Sequence, residues 1–231
     1  MPIGVPKVGF LLNGEEDAHW VDLYNRLYRD RILFMGSNLD DELANQLIGI
    51  MQYLYRENPR IEQNLYINSM GGGLLAGLAI FDNMRTISPK IIATCVGHAS
   101  SMASCILCAS DVRLALRHSQ MMIHQPSTGL EGQALDINLE SNQVAILRTK
   151  VCIFYSRMTG KNKCIITEDM DRDAFMSAKK SKEYGLIDQI IKEQGIYDDY
   201  IHPLPTGTFY ADYPTNPAPA PVSAPQLEFS R

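Results

Sequence analysis

Excess positive charge is missing from these 231 residues: 21 Lys and Arg stand against 26 Asp and Glu, a formal net charge of -5 with a pI near 5.5. A chain with that balance has no basic field for holding a polyanion, which argues against nucleic-acid binding. Long apolar runs are missing too. The most hydrophobic stretches are broken by glycine, polar residues or charge before they reach the roughly 20 residues of a membrane span, so no membrane partner is expected. The opening MPIGVPKVGF has neither the apolar core of a secretory signal nor the Arg/Ser-rich amphipathic character of a transit peptide. The expectation is a protein that works in the compartment where it is made. Cysteine is sparse and odd in number, with five at Cys95, Cys105, Cys108, Cys152 and Cys164. Cys105 and Cys108 form a C-x-x-C inside an apolar helical pattern with no second ligand pair nearby, which reads as buried reduced thiols. No metal is expected.

What is present is enough apolar material for one substantial core, 45% of the residues, with 20% charged. Seven of the twelve prolines fall from residue 197 onward, around NPAPAPVSAP. The expected organisation is therefore one domain over 1–196 and a proline-rich, disordered or polyproline tail over 197–231.

Along that domain, Trp20, Leu23, Leu27 and Tyr28 at helical spacing predict an amphipathic helix within 15–30. RILFMG reads as a strand. Asn38 and Asp40 are candidate caps for a helix whose stripe is Leu43, Leu47, Ile50, Met51 and Leu54 and which ends before Pro59. NLYINS runs as a strand into Met70, Gly71, Gly72 and Gly73, after which Leu75, Leu78, Ile80 and Phe81 begin another helix. No G-K-[ST] follows the glycines, so a phosphate loop is disfavoured and a tight turn is the plain alternative. Ile91 to Val96 form a β-branched strand that Gly97 is expected to break, and Met102, Ile106 and Leu107 resume at helical spacing. VRLAL and MMIHQP read as two further short strands. The order strand, Gly or Ser turn, helix, strand thus occurs twice, which argues for an α/β class.

Residues 131–159 are polar on most faces, with Leu147, Val151, Phe154 and Met158 as a narrow seam. Such a helix protrudes or pairs with a partner, or lies along the surface. Gly160 closes it, Thr167 with the acids after it reads as the start of a short helical turn, AFMSA as a brief strand, 178–185 as a helix ended by Gly185, and LIDQII as a last strand.

The corner between the strand at 91 and its helix carries Ser100 and Ser101. A helix N-terminus offers unpaired N–H groups and a positive dipole end that can hold an oxyanion, so a nucleophile suits that place as well as a simple helix cap does. The G-x-S-x-G elbow is not present, because Gly97 lies too early and Ala103 stands where glycine is wanted. A serine nucleophile requires a base and an orienting carboxylate. Among His19, His98, His118, His124 and His202, and among the acids of DMDRD, spacing selects none.

Four separated motifs, INSMGGG, GHASSMAS, MMIHQPS and EDMDRDAFMSAKKSKEYGLID, occur in an order that resembles the proteolytic subunit of Clp proteases, the ClpP family of serine peptidases. The opening MPIGVPKV with GEEDAHWVDLYNRLYRDR is similar to the plastid-encoded members, and the likeness extends to LIDQII. The resemblance implies a nucleophile at Ser101, a general base at His124 and an orienting carboxylate at Asp173. It implies oxyanion donors at Met102 and at Gly72, with Gly71 as the neighbouring choice. It implies a crotonase-like ββα spiral with a protruding handle helix at about 131–159, heptameric rings of sister subunits closing a chamber, unfolded protein substrates, and a Clp ATPase unfoldase that binds the ATP. A chloroplast stroma location follows from the same resemblance. Met70 replaces the family's usual proline, Ser100 an alanine, and Asn64 and Thr86 stand where the unfoldase pocket often has aromatics. Two other readings stay open: a ring subunit with a structural role alone, and an acyl-CoA enzyme of the same fold class.

Overall fold

β1 (Lys7–Phe10) pairs antiparallel with β2 (His19–Asp22) in the structure, a computed structural model describing residues 4–10, 19–129 and 131–191. Trp20 therefore lies on a strand, paired with Gly9 and 71% exposed, rather than on the expected helix. The helix, α1 (Leu23–Arg29), begins later because Asp22 caps it, its Oδ1 accepting from Tyr24 N–H at 2.8 Å. β3 (Ile32–Met35) leads to α2 (Asp41–Glu57), whose N-cap is Asp40, accepting from Leu43 N–H at 2.8 Å. Ala44, Leu47, Met51 and Leu54 are the buried stripe of α2. β4 (Gln63–Ser69), α3 (Leu74–Thr86), β5 (Ile91–Ser100), α4 (Met102–Ala109), β6 (Val112–Leu116) and β7 (Gln120–Ile123) follow.

β5 passes through Gly97 without ending there. Gly97 takes φ +129, the β4–β5 register shifts between Ile67 and Ser69, and the strand continues to Ser100. A Cβ at Gly97 would lie 2.7 Å from Asn68 Oδ1, the atom that accepts His98 N–H at 3.1 Å, so glycine lets the bulge form instead of stopping the strand.

The second half opens with α5 (Ala134–Thr159), closed by Gly160 in the left-handed region. Then come α6 (Lys163–Asp169), β8 (Ala174–Ser177), α7 (Ala178–Tyr184) and β9 (Gln189–Ile191). Thr167 falls inside α6, not at its start, because Asn162 Oδ1 caps the helix at Cys164 N–H, 2.9 Å away; the acids end the helix. LIDQII contributes strand only from Gln189, its Leu186 and Ile187 being buried just before.

Seven strands form one sheet in the order β3-β4-β5-β6-β9, with β7 paired to β5 and β8 to β7. All pairs are parallel except β7 with β8. A central parallel strand is covered on both faces, which is why Ile91, Ile92, Ala93 and Cys95 are all buried, with Thr94 the one polar residue among them and buried too. All of α4 is buried, including Cys105 and Cys108, and burial pushes both thiols up, keeping them protonated. Arg113 of β6 pairs with Asp188 and donates to Gly185 carbonyl at 2.8 Å, tying β6 to the turn that leads into β9. α5 behaves as two halves: residues 131–143 are exposed throughout, whereas Val151, Cys152 and Tyr155 are buried against the core. Among the described residues no helix is long and apolar enough to cross a membrane. The tail from 197 lies outside the described residues.

Candidate active site

Ser101 joins β5 to α4 with φ +54 and ψ −127, one of two non-glycine residues among those described with positive φ. Such a conformation costs about 1–3 kcal/mol and persists only where the surroundings over-determine it. Here Ser101 N–H donates to Met122 carbonyl at 2.9 Å, and the Ser101 carbonyl accepts from Ser104 N–H at 3.1 Å and Cys105 N–H at 3.3 Å. The strained strand-to-helix turn of a nucleophile elbow is thus made without the G-x-S-x-G glycines.

Sheet register then delivers the base. β5 pairs with β7 at Ser100 and Met122, so the residues just past both ends emerge side by side. His124 Nε2 lies 2.8 Å from Ser101 Oγ. β7 pairs antiparallel with β8 at Ile123 and Ala174, so the next positions along, His124 and Asp173, face one another. His124 Nδ1 lies 3.1 Å from Asp173 Oδ1. With the proton on Nδ1, the imidazole donates to Asp173 and its Nε2 accepts from the Ser101 hydroxyl.

The remaining candidates lie elsewhere. His98 is within β5, His19 within β2, and His118 on the exposed β6–β7 turn; His202 is outside the described residues. Of the acids in DMDRD, Asp169 accepts from Tyr184 O–H at 2.6 Å and Asp171 pairs with Arg148 of α5 at 2.5 Å. Among the described residues, Asp173 alone of these acids reaches a histidine. Gln125 N–H donates to Met170 carbonyl at 2.8 Å, holding the acidic loop beside the histidine.

The glycines end β4 against the same corner. A Cβ on Gly71, at φ +91, would lie 2.6 Å from Ser100 carbonyl and 2.7 Å from Ser101 Cβ; one on Gly72, at φ +154, would lie 2.1 Å from Leu39 carbonyl. Leu39 N–H donates to Gly71 carbonyl at 2.9 Å and Gly73 N–H to Leu39 carbonyl at 2.8 Å. Gly71 N–H is committed to Ser69 Oγ at 3.1 Å. These bonds pin the turn without the rigidity a proline would add; Met70 is 54% exposed. Ser100 is fully buried and its Oγ has no hydrogen-bond partner among the described residues.

A cleft of about 340 Å³ opens beside Ser101 and His124, with Gly72, Leu74, Met102, Leu147 and Val151 among its walls. The arrangement can activate a hydroxyl, receive an oxyanion at the start of α4, and seat an apolar side chain. Two hydroxyls, that of Tyr155, which lines the cleft, and that of the buried Ser104, are not singled out by the sequence; Ser104, three residues past Ser101 at a helix start, carries the one local signal that could have found them. No group of three or more His, Cys, Asp or Glu among the described residues is placed to hold a metal ion.

Residues 14–194 match a family model described as Clp protease. The ATP-dependent Clp protease proteolytic subunit of Chlorella vulgaris is 53% identical over 192 residues, covering 82% of this chain and 96% of that protein. Its counterpart from Marchantia polymorpha is 50% identical over 196 residues, 84% of this chain and 97% of the relative.

Proposed function

This chain belongs to the Clp protease family and is a serine endopeptidase subunit with that family's crotonase-like α/β fold, and we propose that Ser101, His124 and Asp173 are its catalytic triad. The observation that carries the assignment is the continuous chain of contacts from Ser101 Oγ through both nitrogens of His124 to Asp173. Ser101 Oγ attacks the scissile carbonyl as His124 Nε2 takes its proton; Asp173 holds the imidazole in the required tautomer and stabilises the imidazolium. The proton then passes to the leaving amine, and water repeats the sequence on the acyl-enzyme.

The developing oxyanion is received by Met102 N–H, first in α4 and without a helical acceptor, and by Gly72 N–H. Gly72 is preferred to Gly71 because the Gly71 N–H already donates to Ser69 Oγ. Gly72→Ala is expected to lower kcat by about 100-fold or more through displacement of that donor. Steady-state peptidase assays check this, with Gly49→Ala, where a Cβ meets nothing within 4 Å, as the silent control. An extended peptide pairs main chain to main chain along the glycine segment.

Family membership carries oligomeric rings and ATPase partners with it. Heptameric rings of sister subunits, interlocked through the exposed first half of α5 with Leu135 at 69% and Leu139 at 57% exposure, would enclose the sites. A Clp ATPase unfoldase would deliver unfolded protein, so ATP belongs to that partner and this chain takes no cofactor. The peptidase domain is assigned to 1–196 and the proline-rich segment 197–231 to an appended tail. The relatives are algal and land-plant proteins, consistent with a plastid protein, and within the plastid the stroma is the proposed compartment.

A fluorophosphonate probe applied to the assembled complex tests the reading. Mass spectrometry is expected to find the adduct on Ser101, and a peptide-cleaving assembly with that serine unmodified would refute it.

A further inference from the structure

We propose that Ser104 and Tyr155 are positioning residues for the nucleophile, two hydroxyls that clamp the carbonyl of Ser101 and fix its distance from the strand carrying His124. The proposal rests on the reading of Ser101 as nucleophile. Ser104 Oγ lies 2.7 Å from Ser101 carbonyl, 2.9 Å from Met122 carbonyl and 2.7 Å from Tyr155 hydroxyl. Tyr155 hydroxyl itself lies 3.2 Å from Ser101 carbonyl. Both side chains are buried, Ser104 at 0% and Tyr155 at 2% exposure.

The first turn of α4 does not need this pair. The Ser101 carbonyl already accepts two backbone N–H groups, and Met122 carbonyl already accepts Ser101 N–H. Each hydroxyl brings one further proton, and when one of the two is spent on the 2.7 Å contact between them the other goes to a carbonyl. Whichever way those protons are shared, at least one of Ser101 and Met122 carbonyl is held by a side chain. Burial pushes Tyr155 well above the ordinary phenol range, so it stays protonated and able to donate.

What the pair joins is the reason to read it as functional. Met122 stands two residues before His124 on β7, Ser104 is on α4, and Tyr155 comes from α5. The clamp therefore ties together the helix that begins at the nucleophile, the strand that ends at the base, and the helix that walls the cleft. A phenylalanine would fill the same apolar space and lack the phenolic oxygen that reaches the strained peptide. Loosening it frees Ser101 to relax toward ordinary dihedrals, which moves Oγ away from Nε2 and lowers the rate, while a phenylalanine ring at 155 keeps the apolar wall that Tyr155 gives the cleft.

Tyr155→Phe and Ser104→Ala are to be made in the chain within its assembled complex, with two readouts: the rate of fluorophosphonate acylation at Ser101, and kcat and KM on a peptide. Each variant is expected to lose about tenfold in acylation rate and kcat, with KM within about twofold of the parent. Because both act on the same carbonyl, the double variant is expected to be no slower than the slower single one. Unchanged acylation in both variants overturns the clamp, as does a loss of kcat that tracks lost assembly and thermal stability. Should Tyr155→Phe not assemble, Ser104→Ala carries the test by the same criteria. A parent complex that cleaves peptide with Ser101 unlabelled removes the triad reading itself; a labelled parent with equally labelled variants removes the clamp alone.

Discussion

Rings in which every copy of this chain carries Ser101→Ala are expected to lose acylation at that position and to drop by about 10⁴-fold or more in the turnover this subunit supplies. The size follows from the chemistry. The Ser101 oxygen forms the acyl bond, and no other hydroxyl in the described residues lies at 2.8 Å from His124 Nε2. Assembly and thermal stability are expected to stay within about 1 kcal/mol of the parent, since the substitution removes one oxygen whose partner faces the cleft. The backbone strain at φ +54 is unaltered by it. Peptidase assays on purified rings, with ring assembly read by size-exclusion chromatography, measure both quantities. Undiminished output from a mixed ring would make this chain a structural member, and undiminished output from a ring whose sister subunits contribute no activity would put the nucleophile elsewhere in this chain; either result ends the triad proposal.

Asp173→Asn has the second largest expected effect, about 10³- to 10⁴-fold in kcat with little change in KM. An asparagine amide turned toward Nδ1 favours the tautomer with its proton on Nε2, and that nitrogen can then no longer accept from Ser101. The Asp173 side chain is 59% exposed, so water softens the loss and the smaller end of the range is expected. Asp171→Asn, which breaks only the contact with Arg148, separates the two roles in one acidic loop. Steady-state kinetics on a fluorogenic peptide resolves kcat from KM; equal activity of the two variants would place the carboxylate function elsewhere.

Much of the fold was legible because its signals are local. The stripe of α2 with its Asp40 cap, the left-handed glycines after α5 and α7, and the β-branched run of β5 each reflect interactions within a few residues. The misread places are those where a neighbour overrode the local pattern. Trp20 has helical spacing to Leu23 but is held by β1, and Gly97 looks like a terminator but serves as a bulge against Asn68. The candidate site divides in the same way. Ser101 stands out beside a helix start, while His124 could not be separated from four other histidines except through motif order.

The sequence by itself determined the α/β class, a long helix within 131–159, the buried state of Cys105 and Cys108 and, through four motifs in order, the family and the residues to watch. Only the tertiary structure decided which imidazole meets which hydroxyl and carboxylate, that Ser101 holds a positive φ, that Gly71 has already given up its N–H, and that two buried hydroxyls grip the Ser101 peptide. The reason is that 23 residues separate Ser101 from His124 and 49 separate His124 from Asp173. Their meeting depends on strand register, which is set by pairing between distant segments and leaves no mark in the spacing along the chain.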